Sequence, residues 1–226
     1  MPSEGEHLEP LGGGISVTVS KEHRFGTDTV LLAWFSAPRP GDLAADLGTG
    51  CGTIPLLWTI NAKPAHITAV ELQENASELA ARSIERNGLT DSIDIIHADL
   101  RDLKGKVPGN YFDVVACNPP YKKSGTGVQN PGEERRIARH DDTCTLLDAA
   151  LCAHRLLEFS GRFCLCLRPE RLCDALEALR QAKLEPKRLR FVHQKADAAP
   201  NLFLLEGRKG AKPFLTVEPP LFLQNA

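Results

Sequence analysis

From residue 43 onward, short apolar runs alternate with helical stretches, and this alternation constrains the fold more than any single motif. The runs are Leu43 to Leu47, Ile67 to Glu71, Ile93 to His97, Phe112 to Cys117, Phe163 to Arg168, Leu189 to His193 and Leu202 to Glu206. Helix patterns lie between them at Thr53 to Ile60, Glu74 to Asn87 closed by Gly88, Thr145 to Phe159 closed near Gly161, and Glu170 to Ala182. Strands alternating with helices of this length require an α/β architecture, a mainly parallel sheet covered on both faces by right-handed crossovers. The last two runs are joined by the polar turn Asp197 to Asn201 without a helix, so Leu202 to Glu206 is expected to return antiparallel to its neighbour. Ahead of the sheet, Ile15 to Val19 reads as a strand and Thr27 to Ser36 as a helix capped by Thr27 or Asp28, with Pro38 beyond its end. The expected organisation is an extension over residues 1–40, holding that strand and helix, followed by one α/β domain over residues 41–226.

Composition excludes several classes. No stretch approaches the ~18 consecutive apolar residues of a membrane span, and Met1 to Gly14 is acidic and Gly-rich without a signal-peptide core. Seven cysteines, an odd number without a C-x-x-C pair, read as buried thiols in a reducing cytosol and not as a disulfide or zinc framework. No metal is expected. The net charge of −2 conceals two regions of opposite sign. Residues 66–115 carry nine acids against five bases, and residues 183–212 carry eight bases against three acids, the pattern of a polyanion-binding face.

The first sharp motif, Asp46-Leu47-Gly48-Thr49-Gly50-Cys51-Gly52, stands where the first strand of the sheet turns into a helix. Glycines there let the backbone bend tightly and approach a ligand at the place where open α/β sheets bind nucleotides. A dinucleotide fingerprint would need glycine at position 53, which is Thr53, and this counts against a nicotinamide cofactor. Three acids stand at successive strand ends: Asp46, Glu71 and Asp99. A carboxylate at Glu71 can accept from both ribose hydroxyls, and one at Asp99 can meet an adenine amino group. Together they form a cradle for an adenosine that bears a positive centre.

These residues resemble the class I S-adenosylmethionine-dependent methyltransferases, whose Rossmann-like sheet has seven strands with the last antiparallel. The resemblance implies that S-adenosylmethionine is the cofactor, that Gly48 and Gly50 pass under its methionine part, with Thr49, Cys51 and Gly52 in the same turn, and that Asp46 supports the turn and the amino end. It further implies that Glu71, followed by Leu72, holds the ribose and that Asp99 with Leu100 frames the adenine.

The fourth strand ends in Asn118-Pro119-Pro120-Tyr121. An adenine or amide nitrogen is a poor nucleophile because its lone pair is delocalised. The Asn118 side-chain oxygen and the Pro119 carbonyl can hold two N–H groups and favour a pyramidal nitrogen, while Tyr121 stacks on the planar group. This tetrapeptide is similar to that of methylases of exocyclic base amines and of methylases of release-factor glutamine. The latter carry a sizeable helical domain ahead of the glycine turn, whereas 45 residues precede Asp46 here. Arg24-Phe25-Gly26-Thr27-Asp28, continued by Thr29 to Ala33, resembles the opening motif of bacterial methylases acting on adenine N6 beside the anticodon of valine tRNA. In that family Phe25 to Asp28 would sit over the methionine end of the cofactor. The segment Arg139-His140-Asp141 and the tail Glu206-Gly207-Arg208-Lys209-Gly210-Ala211-Lys212 extend the match, which covers about residues 15–223; Asp141 stands where Glu is expected.

Residues 122–139 read as a long, net-basic loop directly after the tetrapeptide. Lys122, Lys123, Arg135, Arg136, Arg139 and His140 are the expected RNA-binding residues, meeting phosphates while the loop closes over a flipped base. The partner expected is tRNA, and the chain is expected to act as a cytoplasmic monomer. Glutamine methylation of a protein such as a release factor, or a non-catalytic RNA-binding module on the same fold, are the alternatives.

Overall fold

The computed structural model describes residues 3–119 and 144–223. Pro120, Tyr121, Lys122, Lys123, Arg135, Arg136, Arg139 and His140 lie outside the described residues.

The chain opens with an antiparallel hairpin of β1 (Glu6–Gly12) and β2 (Ile15–Ser20), followed by α1 (Thr27–Ser36). Then come β3 (Leu43–Leu47), α2 (Thr53–Asn61), β4 (His66–Glu71), α3 (Glu74–Arg86), β5 (Ile93–His97) and β6 (Phe112–Cys117). After the undescribed segment follow α4 (Leu146–Leu156), β7 (Leu157–Leu167), α5 (Leu172–Gln181), β8 (Leu184–His193), β9 (Pro200–Lys209), β10 (Thr216–Val217) and β11 (Leu221–Phe222). The main sheet runs β10-β8-β9-β7-β6-β3-β4-β5, and β11 also pairs with β8. Neighbours from β7 through β5 are parallel, while β9 lies antiparallel between β7 and β8, as the helix-free turn between the last two runs required. Two short tail strands widen the expected seven-stranded sheet to nine.

Burial alternates across the sheet, as a period of two demands. On β3, Ala45 and Leu47 join a core with Phe112, Leu156, Phe163 and Leu179, while Ala44 faces the opposite core of Trp58, Leu56, Ile67 and Phe35. Helix α3 buries Ala76, Leu79, Ala80, Ser83 and Ile84, a spacing that makes one continuous stripe. Its outer turn anchors the hairpin. Thr18 N donates to Ser83 Oγ at 2.9 Å, the Asn87 amide brackets Ser16, and Arg82 makes a two-point contact with Glu6.

Two expectations need correction. The helix that the periodicity carries to Phe159 ends at Leu156, because Leu157 is fully buried and pairs with Phe112 on β6. Its start is sealed instead by a reciprocal pair: Thr145 Oγ1 accepts from Asp148 N, and Asp148 accepts from Thr145 N. The second concerns thiols. Five cysteines are buried, but Cys144 is half-buried and Cys173 exposed; all seven are free.

The strongest charge cluster lies on β7, β8 and β9. Glu206 is fully buried, with Arg208 at 3.0 Å, Arg188 at 3.4 Å and Arg162 at 3.9 Å. Removing this carboxylate leaves guanidinium groups in a poorly solvated layer without their shared partner. Glu206→Ala is therefore expected to destabilise the fold by about 3 kcal/mol, the low end for breaking a buried pair because Asp42 and Glu218 remain near two of the arginines. The shift of the urea midpoint checks it.

Candidate active site

The end of β4 shapes the glycine turn. Val70 O accepts from Gly48 N at 2.9 Å and from Thr49 N at 3.0 Å. One Glu71 oxygen accepts from Gly50 N and the other from Gln73 N, both at 2.8 Å. Gly48 and Gly50 have φ of +72° and +58°, and a Cβ at either would point into open space, so the backbone itself forms the wall facing a ligand.

That wall bounds a cavity of about 420 Å³. Of the residues expected from the sequence, Gly48, Gly50, Glu71, Leu72, Asp99, Leu100, Asn118 and Pro119 line it. Asp46, Thr49, Cys51 and Gly52 are buried behind it. Phe25, Gly26, Thr27 and Asp28 are not on its wall; Phe25 packs on the apolar core beneath α2. Glu22, His23, Gln73 and Cys144 line the cavity without having been singled out. The first two sit just ahead of the Arg24 to Asp28 motif and Gln73 just after Glu71, so flanking position was their only signal. Cys144 carried none.

Asp99 is not an open carboxylate. The Arg101 guanidinium and backbone amide both bond to it, holding its carboxyl below the usual range.

Asp46 is the opposite case. It is 1% exposed, and neither carboxylate oxygen has a hydrogen-bond partner among the described residues. Burial pushes it up to about 7 and the Glu71 charge adds to this, while the nearby Thr49 hydroxyl opposes it without reaching bonding geometry. S-adenosylmethionine fits the cavity: Glu71 would hold the ribose hydroxyls, Leu72, Ala98 and Leu100 would face the base, and Asp46, behind the wall, would act on the cationic methionine end only through the turn above it.

Asn118 leaves β6 at the cavity rim. Its Nδ2 donates to Asp28 Oδ2 at 2.7 Å and to Thr29 Oγ1 at 3.1 Å. Both amide hydrogens are thus directed into the first turn of α1, which sets the orientation of the side chain. The Asp28 carboxylate does not cap α1 as expected; Gly26 is the N-cap residue, without a side-chain cap, and its carbonyl accepts from Thr29 N. A Cβ at Gly26 would collide with Asp28 Oδ1, so glycine is needed there to leave the carboxylate room.

Fold and site define a methyltransferase of the open α/β type. The family model for the methyltransferase small domain matches residues 20–134, half of the chain, and the chain belongs to that family. A tRNA1(Val) (adenine(37)-N6)-methyltransferase of Photobacterium profundum is 35% identical over 142 residues, 62% of this chain and 55% of that protein. The protein of the same name from Porphyromonas gingivalis is 31% identical over 191 residues, 82% of this chain and 74% of its own length. The chain thus aligns with little more than half of the first and three quarters of the second. Among solved structures, a predicted O-methyltransferase from Agrobacterium tumefaciens superposes with a TM-score of 0.71 at 21% identity, over 87% of this chain and 88% of that one. A geranyl diphosphate C-methyltransferase from Streptomyces coelicolor reaches 0.59 at 11%, over 80% and 78%. These two establish the fold alone.

Two outcomes follow. Asp46 raised from 3.8 to about 7 means that the free folded chain holds more protons than the unfolded one across that window. Its stability should fall as pH rises from about 4 to 7, by on the order of a few kcal/mol, and cofactor affinity should rise through pH 7 as a charge behind the cavity wall comes to attract the cationic cofactor. Asp46→Asn should flatten both profiles, read by melting at pH 5 and 8 and by cofactor titration. Asp28→Ala and Gly26→Ala should each lower kcat on the order of tenfold to a hundredfold by releasing the Asn118 amide, with cofactor Kd little changed.

Proposed function

We propose that the chain methylates the exocyclic N6 amino group of an adenine in tRNA, beside the anticodon, with S-adenosylmethionine as methyl donor, and that it does so as a monomer. The observation that carries this reading is the placement of Asn118: at the rim of the glycine-turn cavity, with its amide hydrogens taken by Asp28 and Thr29. With its amide nitrogen held in this way, Asn118 would offer Oδ1 to one target N–H. Pro119, which also lines the cavity, brings a backbone carbonyl for the second. Two acceptors on one amino group draw its lone pair out of conjugation and aim it.

The cofactor supplies an electrophilic methyl on a sulfonium that leaves as a neutral thioether. The nitrogen gains the methyl and gives up one proton to solvent. No strong base is needed, because the proton becomes acidic only as the new N–C bond forms. Tyr121 follows in the chain, and stacking of the base on it completes the motif as read from the sequence. The relatives named for adenine-N6 methylation of tRNA1(Val) support the choice of nucleic-acid amine over protein amide.

Labelled methyl transfer from S-adenosylmethionine to unmodified tRNA, with release factor offered in parallel, tests it by nucleoside mass analysis. N6-methyladenosine in tRNA is expected; label in the release factor alone, or in neither, overturns the substrate. Asn118→Ala should lower turnover about a hundredfold or more, as removal of one transition-state hydrogen-bonding group does, with little change in cofactor affinity.

A further inference from the structure

Helix α1 does more than hold Asn118. Its outward face carries Thr27, Val30 and Trp34, spaced three and four residues apart and so aligned in one row. Val30 is 39% exposed and Trp34 57%, an unusual exposure for an indole. From Thr29, which bonds to Asn118, to Trp34 is about 8 Å along the helix axis.

Arg190 of β8 lies over the Trp34 ring, with its guanidinium carbon 5.1 Å from the centroid. The neighbouring arginines differ from it in one respect. Arg188 is bound by Glu206 and Glu218, Arg162 lies near Asp42 and Glu206, and Arg208 pairs with Glu206. Arg190 has no carboxylate partner among the described residues, and its Nε is buried without a hydrogen-bond acceptor. An uncompensated cation fixed against a solvent-open indole combines the two recognition elements for single-stranded nucleic acid: a π-face for a base and a charge for the adjoining phosphate.

The geometry points to Trp34 with Arg190 as a stacking platform for an RNA nucleotide flanking the target adenine, an inference that rests on the tRNA reading above. The row Thr27, Val30 and Trp34 joins the platform to the turn that orients Asn118. A base seated on Trp34 therefore holds the RNA in register with the amine to be methylated.

The chain has two tryptophans, and Trp58 is 1% exposed, so quenching from solvent or from a stacked base reports Trp34. An anticodon stem-loop bearing the target adenine is titrated into the protein while emission is followed. Quenching of Trp34, lost in Trp34→Phe, is expected. Trp34→Ala should raise KM for the stem-loop about tenfold at unchanged saturating kcat and unchanged cofactor Kd, with Trp34→Phe recovering part of the loss. Arg190→Gln should weaken binding and lower the salt dependence by about one phosphate contact. If the wild type methylates the RNA while Trp34 emission and the Trp34→Ala KM stay unchanged, the platform is wrong and the tRNA reading stands. If the wild type neither binds nor methylates RNA, the tRNA reading fails and the platform with it. A concentration-dependent blue shift of Trp34 without RNA would instead assign the surface to self-association and overturn the proposal.

Discussion

The site rests on the grip that the end of β4 exerts on the turn after β3. Three turn amides converge on two residues, Val70 through its carbonyl and Glu71 through its carboxylate. The register of the sheet makes this possible, since Leu47 lies level with Val70 on the neighbouring strand. A slip of one residue would turn Asp46 and Leu47 to the wrong faces and part Glu71 from Gly50. The same register sets β6 beside β3, with Cys117 level with Leu47, so that Asn118 emerges next to the turn. Strand pairing places the donor and acceptor ends of the chemistry before any side chain in the cavity contributes.

Charge is distributed with a comparable logic. Asp46 is buried without a hydrogen-bond partner among the described residues, an arrangement that penalises its charged form. Glu206 is buried among three arginines: Arg208 bonds one oxygen at 3.0 Å, and Arg188 and Arg162 stand at ion-pair distances of 3.4 and 3.9 Å from the other, which makes no hydrogen bond among the described residues. The first has no cation beside it among the described residues, and the second lies within ion-pair reach of three arginines. Both are fully buried acids, and only their neighbours distinguish them.

The strands and the glycine turn were legible because their signals are local: β-rich apolar runs for β3, β5 and β6, and positive-φ glycines at a strand end. The features that escaped depend on contacts distant in sequence. Helix α4 stops at Leu156 because Phe112, far upstream, waits to pair with Leu157. The β1 segment, with Pro10 and three charged or imidazole side chains, has no strand pattern, and it is held by pairing with β2 and by Arg82. Asp28 looked like a helix cap, and its carboxylate is drawn instead to Asn118, 90 residues later. Asp99 looked open, and Arg101 occupies it. Sequence identified Glu71 and Asp99 among the acids of the cavity, missed Glu22, and gave no sign that Arg101 would engage Asp99.

The insertion of β9 between β7 and β8 bears on how the chain reaches its fold. Strand β8 does not pair with β7; β9, which is made later, lies between them. During synthesis the strands that carry the glycine turn and Asn118 can pair as soon as β6 exists. Strand β8, by contrast, must wait with its partner surface incomplete until residue 209 has emerged, and then admit a neighbour on one side and the tail strands on the other. The strands that carry the glycine turn and Asn118 therefore find all their partners earlier in the chain than β8 does, whose neighbours all follow it.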